Sequence, residues 1–304
     1  MRGKGGRNDG SSIAMKPSWI RSTLPDPATH LRTRKLLRDH GLNTVCEEAL
    51  CPNQCECFAR RTATFLILGR TCTRACRFCA IPMEAHPPAP DPREPEGIAE
   101  VVAELGLTHV VITSVTRDDL ADGGAGHFAA AVEALKRHNP SITVEVLIPD
   151  LRGEREALET VLWSRPDIVN HNLETVDRLY PTVRPQADYH RSLGLLTAVK
   201  TIDPGTVTKS GLMLGLGEES EEVLAAMADL RDASCEILTL GQYLRPSKQH
   251  HPVVRYVPPE EFTDLGRLGE RMGFRAVFAA PLVRSSFHAA ELFAKSSFST
   301  TSLP

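Results

Sequence analysis

The chain has 304 residues, 41% of them hydrophobic, with Lys+Arg 35 against Asp+Glu 38 and a net charge of −3. A chain of this size can bury a large core, and one main barrel-sized domain is expected. The near-balanced charge excludes a broad electrostatic footprint for nucleic acid or an anionic membrane, and no apolar run reaches bilayer-spanning length. The opening, MRGKGGRNDGSSIAMK, is basic and glycine-rich with a single acid, Asp9, but it lacks the apolar core of a secretory signal. A cytoplasmic protein is expected, with an organellar matrix as the minority alternative. No nucleic-acid or membrane partner is expected.

Residues 1–16 read as a disordered tail, and 17–61 as an N-terminal extension that ends in the cysteine-rich run VCEEALCPNQCECF. TATFLIL (62–68) is a short β-rich run, and Gly69 follows it directly before CTRACRFC. Apolar strands then alternate with amphipathic helical stretches. PEGIAEVVAELG precedes HVVITSV, GHFAAAVEALKRH precedes ITVEVLI, and EREALETVLW precedes DIVNHNL. HRSLGLLTAVKTI leads into TKSGLMLGL, SEEVLAAMADLRDA into EILTLGQYL, and PEEFTDLGRLGERM into RAVFAA. Six strands, each trailed by a helix, predict an α/β fold with parallel strands and right-handed crossovers. Six β/α units fall short of eight, so a partial, open barrel over 62–280 is expected, with its chemistry at the C-terminal ends of the strands.

Seven of the eight cysteines lie between 46 and 79. In a reducing compartment such a cluster is a ligand set or a catalytic one rather than a disulfide framework. Cys72, Cys76 and Cys79 stand in a C-x₃-C-x₂-C arrangement, with the aromatic Phe78 just before the last thiol. A compact loop of this kind can offer three thiolates to three irons of a cubane and leave the fourth iron open to a small molecule. Structural zinc asks for four ligands and paired C-x₂-C knuckles, which this loop does not supply.

The loop, with its aromatic before the third cysteine, resembles the cluster-binding signature of the radical S-adenosylmethionine superfamily. Cys46, Cys51 and Cys57 form an upstream C-x₄-C-x₅-C triad. That triad, together with TSVTRDDLADGGA, HNLETV, QYLRPS and VRSSF, closely resembles the lipoyl synthase family over roughly residues 17–290. The resemblance implies two [4Fe-4S] clusters and S-adenosyl-L-methionine, which the first cluster cleaves to a 5′-deoxyadenosyl radical. It implies insertion of two sulfur atoms, taken from the second cluster, at carbons six and eight of an octanoyl chain on a carrier lysine. Cys72, Cys76 and Cys79 would hold the radical cluster, and Cys46, Cys51, Cys57 and Ser286 the auxiliary one. Residues 281–304 would be a C-terminal extension bearing the R-S-S motif. Implied partners are octanoylated lipoyl carrier domains (a 2-oxoacid dehydrogenase E2 subunit or the glycine cleavage H protein), an iron–sulfur carrier protein for cluster repair, and an electron donor. No side chain is expected to act as a catalytic acid or base.

Phe78, Asn172, Glu174 and Arg184 are candidate contacts for S-adenosylmethionine, with Asn170 beside them; a satisfied structural network is the alternative. Lys209 and Arg245 are further basic candidates for the methionine carboxylate or the carrier domain. Gly123 and Gly124 read as a ribose or substrate loop. His250 and His251 read as surface loop rather than a metal site. Cys235 reads as core, and Cys55 as a small side chain in a tight loop rather than a ligand. Phe287 stands where the family's R-S-S motif usually ends in Tyr. Two other classes remain open at this point: another two-cluster radical enzyme, and a non-catalytic iron–sulfur or zinc protein.

Overall fold

The computed structural model describes residues 16–20, 27–48, 53, 57, 64–286 and 289. A helix, α1 (Pro27–Asp39), leads to a two-residue strand, β1 (Asn43–Thr44). Then come β2 (Thr64–Ile67), α2 (Glu94–Leu105), β3 (His109–Ser114), α3 (Ala125–His138) and β4 (Thr143–Leu147). The alternation continues through α4 (Arg155–Trp163), β5 (Ile168–Asn170), α5 (Tyr189–Ile202) and β6 (Val207–Leu214). It closes with α6 (Ser220–Asp232), β7 (Ile237–Gln242), α7 (Pro259–Arg271) and β8 (Ala276–Ala279).

The eight strands form one sheet in chain order, parallel from β2 to β8. Among the described residues β8 pairs with β7 only, so the barrel is open, as the six-unit alternation predicts. The N-terminal extension also enters the sheet. Asn43 and Thr44 pair antiparallel with Leu66 and Phe65, and so β1 covers one edge. That strand was not legible in the sequence, because two residues are too few to show a period.

Strand and helix faces explain the core. Val144 and Val146 alternate to one side of β4 and join Phe65 and Ile67 from β2, Ile98 and Val102 from α2, and Phe128 and Val132 from α3. A second cluster joins Leu212, Leu238 and Leu240 to Val223, Met227 and Phe262. The helices carry their own boundary signals. Gly106 ends α2 in the left-handed conformation at φ 66°. The side chain of Asp188 caps α5 by accepting from the Arg191 amide at 2.7 Å. A reciprocal capping box of Glu219 and Glu222 opens α6. Among the described residues no helix is long and apolar enough to cross a membrane.

On the face of β4 opposite Val144 and Val146 lies a buried ion pair. Lys209 Nζ on β6 reaches both oxygens of Glu145, at 2.9 and 3.0 Å, and Asn170 Nδ2 donates to the same carboxylate at 2.9 Å. Lys209 is therefore withdrawn from any ligand, contrary to its reading as a basic group for the methionine carboxylate or the carrier. Burial alone would raise the Glu145 carboxyl, but the Lys209 charge and the His109 imidazole outweigh it and hold the group at about 2. A carboxyl depressed in this way contributes stability that is complete above its unfolded value, roughly 4.3, and is lost as pH falls towards 2. Glu145→Gln leaves the Lys209 ammonium buried without a counter-charge. It should cost about 3–5 kcal/mol in denaturant unfolding at neutral pH.

Candidate functional site

The loop after β2 carries Cys72, Cys76 and Cys79 to the C-terminal ends of the strands. Loops from other strands hold it there. From the β3 side, the Thr73 amide donates to the Thr116 carbonyl at 3.0 Å, and the Thr116 amide approaches Cys72 Sγ at 3.2 Å. The Arg74 amide also approaches that sulfur, at 3.4 Å. After β5, the Val183 carbonyl accepts from the Arg77 amide at 2.9 Å, and Gln186 Oε1 accepts from the Ala75 amide at 2.6 Å. The Arg74 side chain is buried and forks onto two carboxylates. It meets Asp118 at 2.7 and 2.8 Å and Asp150 at 2.7 and 2.9 Å, while Arg191 binds Asp150 from α5 at 2.8 Å. Burial opposes ionisation of Asp150, but the Arg74 hydrogen bonds and charge overcome it and hold the carboxyl far below the usual range. Arg74 and its two carboxylates escaped the sequence reading. Arg74 lies inside the cysteine motif and Asp118 inside TRDDL, but nothing in either spacing says that they meet.

The end of β5 forms the opposite wall. Glu174 has φ 68°, unusual for a residue with a side chain, and it is held there by β6: its amide donates to the Gly211 carbonyl at 2.9 Å and its carbonyl accepts from the Met213 amide at 2.8 Å. Asn172 Nδ2 donates to Glu174 Oε1 at 3.0 Å. Arg184 Nη1 donates to the carbonyls of Asn172 and Leu173, both at 3.0 Å, and lies 3.0 Å from the Tyr180 hydroxyl. Part of this network is thus structural. Yet among the described residues Asn172 Oδ1 and Arg184 Nε are buried without a hydrogen-bond partner. Phe78 packs against the neighbouring core.

These surroundings fit an iron–sulfur group with a polar ligand beside it. Burial pushes the Cys79 thiol up to about 12 and raises Cys76 as well, although the Arg184 charge lowers the latter in part. Thiolates in such a place need cations, and cluster irons supply them. Among the described residues no three ligand side chains converge where a single metal ion would sit. Asn172 Oδ1 and Arg184 Nε retain bonding capacity for a ligand.

The model of the radical SAM superfamily matches residues 66–230. The lipoyl synthase of Caldanaerobacter subterraneus subsp. tengcongensis is 54% identical over 274 residues, covering 90% of this chain and 95% of that protein. The lipoyl synthase of Acidithiobacillus ferrooxidans is 56% identical over 279 residues, covering 91% and 88%. This chain belongs to the lipoyl synthase family. It is a radical SAM enzyme, and the family uses [4Fe-4S] iron–sulfur chemistry with S-adenosylmethionine. The crystal structure of methylornithine synthase overlays with a TM-score of 0.51 at 15% identity, over 75% of this chain and 67% of that one; this likeness concerns the fold alone.

In this lipoyl synthase family member Asn53, from the N-terminal side, meets the C-terminal segment. Asn53 Nδ2, within the Cys46–Cys57 stretch, donates to the Leu282 carbonyl at 2.7 Å. The Cys57 amide donates to the Asn53 carbonyl at 3.0 Å, and Cys46 is 5% exposed on the helical turn Val45–Glu48 just after β1. The Gln242 amide donates to the Pro281 carbonyl at 3.2 Å. A Cβ on Gly241 would stand 2.1 Å from the Val283 carbonyl oxygen, so only glycine lets the C-terminal segment lie this close to β7. Ser285 Oγ is 3.2 Å from Asn172 Nδ2, and the Arg284 charge acts on Glu174. Ser286 follows, half-buried. Cys51, Cys55 and Phe287 lie outside the described residues.

Three sequence readings change. Gly124 takes φ 93°, and a Cβ there would meet Leu68 Cδ1 at 2.3 Å, so the glycine pair lets α3 pack against the end of β2; no ligand contact is needed to explain it. Arg245 spends its guanidinium on the His250 and Lys248 carbonyls of its own loop. His250 and His251 are not idle surface: His250 Nε2 lies 2.9 Å from the Cys79 carbonyl, and the His251 amide donates to the Arg77 carbonyl at 2.8 Å. Cys235 is core, fully buried with its Sγ 3.3 Å from the Ile237 carbonyl.

Proposed function

We propose that the enzyme inserts two sulfur atoms, at carbons six and eight, into an octanoyl chain amide-linked to a lysine of a lipoyl carrier domain, giving the lipoyl cofactor. Cys72, Cys76 and Cys79 hold the radical-generating cluster, and Cys46, Cys51 and Cys57 with Ser286 hold an auxiliary, sulfur-donating one. Phe78, Asn172, Glu174 and Arg184 line the place for S-adenosylmethionine. The observation that carries this assignment is the Asn53–Leu282 hydrogen bond of 2.7 Å, because it fastens the upstream cysteine segment to the strap that ends in Arg284, Ser285 and Ser286.

An octanoyl C–H bond offers neither acidity nor a leaving group, and the bound cluster with S-adenosylmethionine supplies the radical chemistry that opens it. The protein's part is placement. Arg184 fixes the Asn172–Leu173 backbone, and Ser285 Oγ, 3.2 Å from Asn172 Nδ2, sets the C-terminal strap against the same wall. Each insertion replaces one C–H bond with one C–S bond and consumes one S-adenosylmethionine, so two are needed per lipoyl group. An electron donor and an iron–sulfur carrier protein that rebuilds the donor cluster are implied partners. The acceptor is a 2-oxoacid dehydrogenase E2 subunit or the glycine cleavage H protein.

The test is anaerobic reconstitution with S-adenosylmethionine, a strong reductant and an octanoyl-lysine peptide, followed by peptide mass. Gain of two sulfurs is expected, as the dithiol under the reductant and with loss of two hydrogens once air oxidises it to the cyclic disulfide. Formation of 5′-deoxyadenosine with an unchanged peptide would mean a different substrate.

A further inference from the structure

The strap between β7 and α7 is fastened to the cysteine loop by its two histidines. His250 Nε2 lies 2.9 Å from the Cys79 carbonyl oxygen, and its Nδ1 lies 2.8 Å from Ser247 Oγ. A carbonyl only accepts, so Nε2 carries a proton and donates. His251 is anchored in turn. Its Nε2 donates to the Leu216 carbonyl at 2.8 Å, and its own carbonyl accepts from the buried Tyr243 hydroxyl at 2.8 Å. Its amide, at 2.8 Å from the Arg77 carbonyl, completes the attachment.

The position of this attachment matters. Supports from β3 and from the β5 side reach Thr73, Ala75 and Arg77, all in the first half of the loop. The Cys79 amide turns back to the Cys76 carbonyl, inside the loop itself, at 3.1 Å. The Arg77–Phe78 and Cys79–Ala80 peptides, before and after Phe78, are therefore held by the two histidines. We infer that His250 and His251 are positioning residues for the third thiol of the radical-generating site: together they fix the Arg77 and Cys79 carbonyls, and His250 places a hydrogen-bond donor on the peptide of Cys79. The inference rests on Cys79 being a ligand of that cluster, as proposed above. A donor on this carbonyl offsets the negative end of its dipole, and hydrogen bonding around ligand sulfurs is one of the levers on cluster potential.

The experiment compares wild type with His250→Phe, which keeps a ring and removes the donor, and His250→Gln, whose amide nitrogen can restore it. Hydrogen exchange is followed first in the cluster-free full chain. His250→Phe should speed exchange of amides in the 72–84 loop about five- to tenfold, the effect of one net hydrogen bond, with the β3–β6 strands unchanged and His250→Gln close to wild type. The second readout is the midpoint potential of the cluster at Cys72, Cys76 and Cys79, measured by electron paramagnetic resonance in protein lacking the Cys46, Cys51 and Cys57 thiols. His250→Phe should shift it to more negative values, and His250→Gln should restore it. Wild-type loop exchange in His250→Phe overturns the inference, and so does failure of His250→Gln to rescue. If the wild-type chain forms no S-adenosylmethionine-responsive cluster at these thiols, the cluster assignment has failed, and the exchange result alone decides whether the histidines hold the loop.

Discussion

Alanine at Cys72, Cys76 or Cys79 should reduce S-adenosylmethionine cleavage to background, whereas alanine at Cys46, Cys51 or Cys57 should spare cleavage and stop sulfur insertion. In the proposed assignment each member of the first triad serves a separate iron, and an open-iron cubane left with two protein thiolates would not be retained. The loop offers no substitute. Cys72 Sγ is met by the Arg74 and Thr116 amides, donors that suit a thiolate and that alanine leaves facing nothing. Cys46 follows β1, which pairs with β2, and Asn53 bonds the Leu282 carbonyl, contacts separate from those that hold the loop after β2, so alanine in the upstream triad should leave that loop in place. Iron content and 5′-deoxyadenosine formation separate the two sets. Each mutant should lose about half the iron, the share of one of two cubanes, but only the first set should lose 5′-deoxyadenosine. Identical behaviour of the two sets would refute the division of labour.

The β/α alternation was legible because parallel strands covered on both faces read as dense apolar runs, such as HVVITS, between helices with a clear apolar face. The cysteine loop was legible because ligand spacing is local. What stayed hidden depends on contacts between residues distant in sequence. Lys209 reads as a free cation until Glu145, 64 residues away, is found beside it. His250 reads as surface until its imidazole is seen on Cys79, 171 residues back. The same holds for Arg74 with Asp150 and for Asn53 with Leu282. Side-chain networks that join separate loops carry no period, and only the fold assembles them.

Ser286→Ala should leave S-adenosylmethionine cleavage within about twofold of wild type but lower lipoyl formation roughly ten- to a hundredfold, the loss typical when support for a metal site is removed. In the proposed assignment six thiols in two triads leave the auxiliary cluster one protein ligand short, and the R-S-S motif offers two serines. The structure distinguishes them. Ser285 Oγ is engaged with Asn172 at 3.2 Å, at the end of β5, whereas Ser286 makes no side-chain hydrogen bond to a described residue and is half-buried beside it. The strap that carries it is pinned by Gly241, Gln242 and Asn53, so its attachment to Asn53 of the upstream stretch does not depend on a cluster being present. An alkoxide is a harder donor than a thiolate and suits iron less well than sulfur does, which makes a serine-held iron the one most readily released. Release is what a cluster consumed in each turnover requires. Ser286→Cys should therefore retain iron more firmly than wild type while slowing the sulfur-donating step, with cleavage of S-adenosylmethionine unaffected. Iron release during a single turnover, measured with a chromogenic chelator alongside peptide mass, checks both substitutions; wild-type lipoyl yield from Ser286→Ala would move the fourth ligand to Ser285 or Cys55.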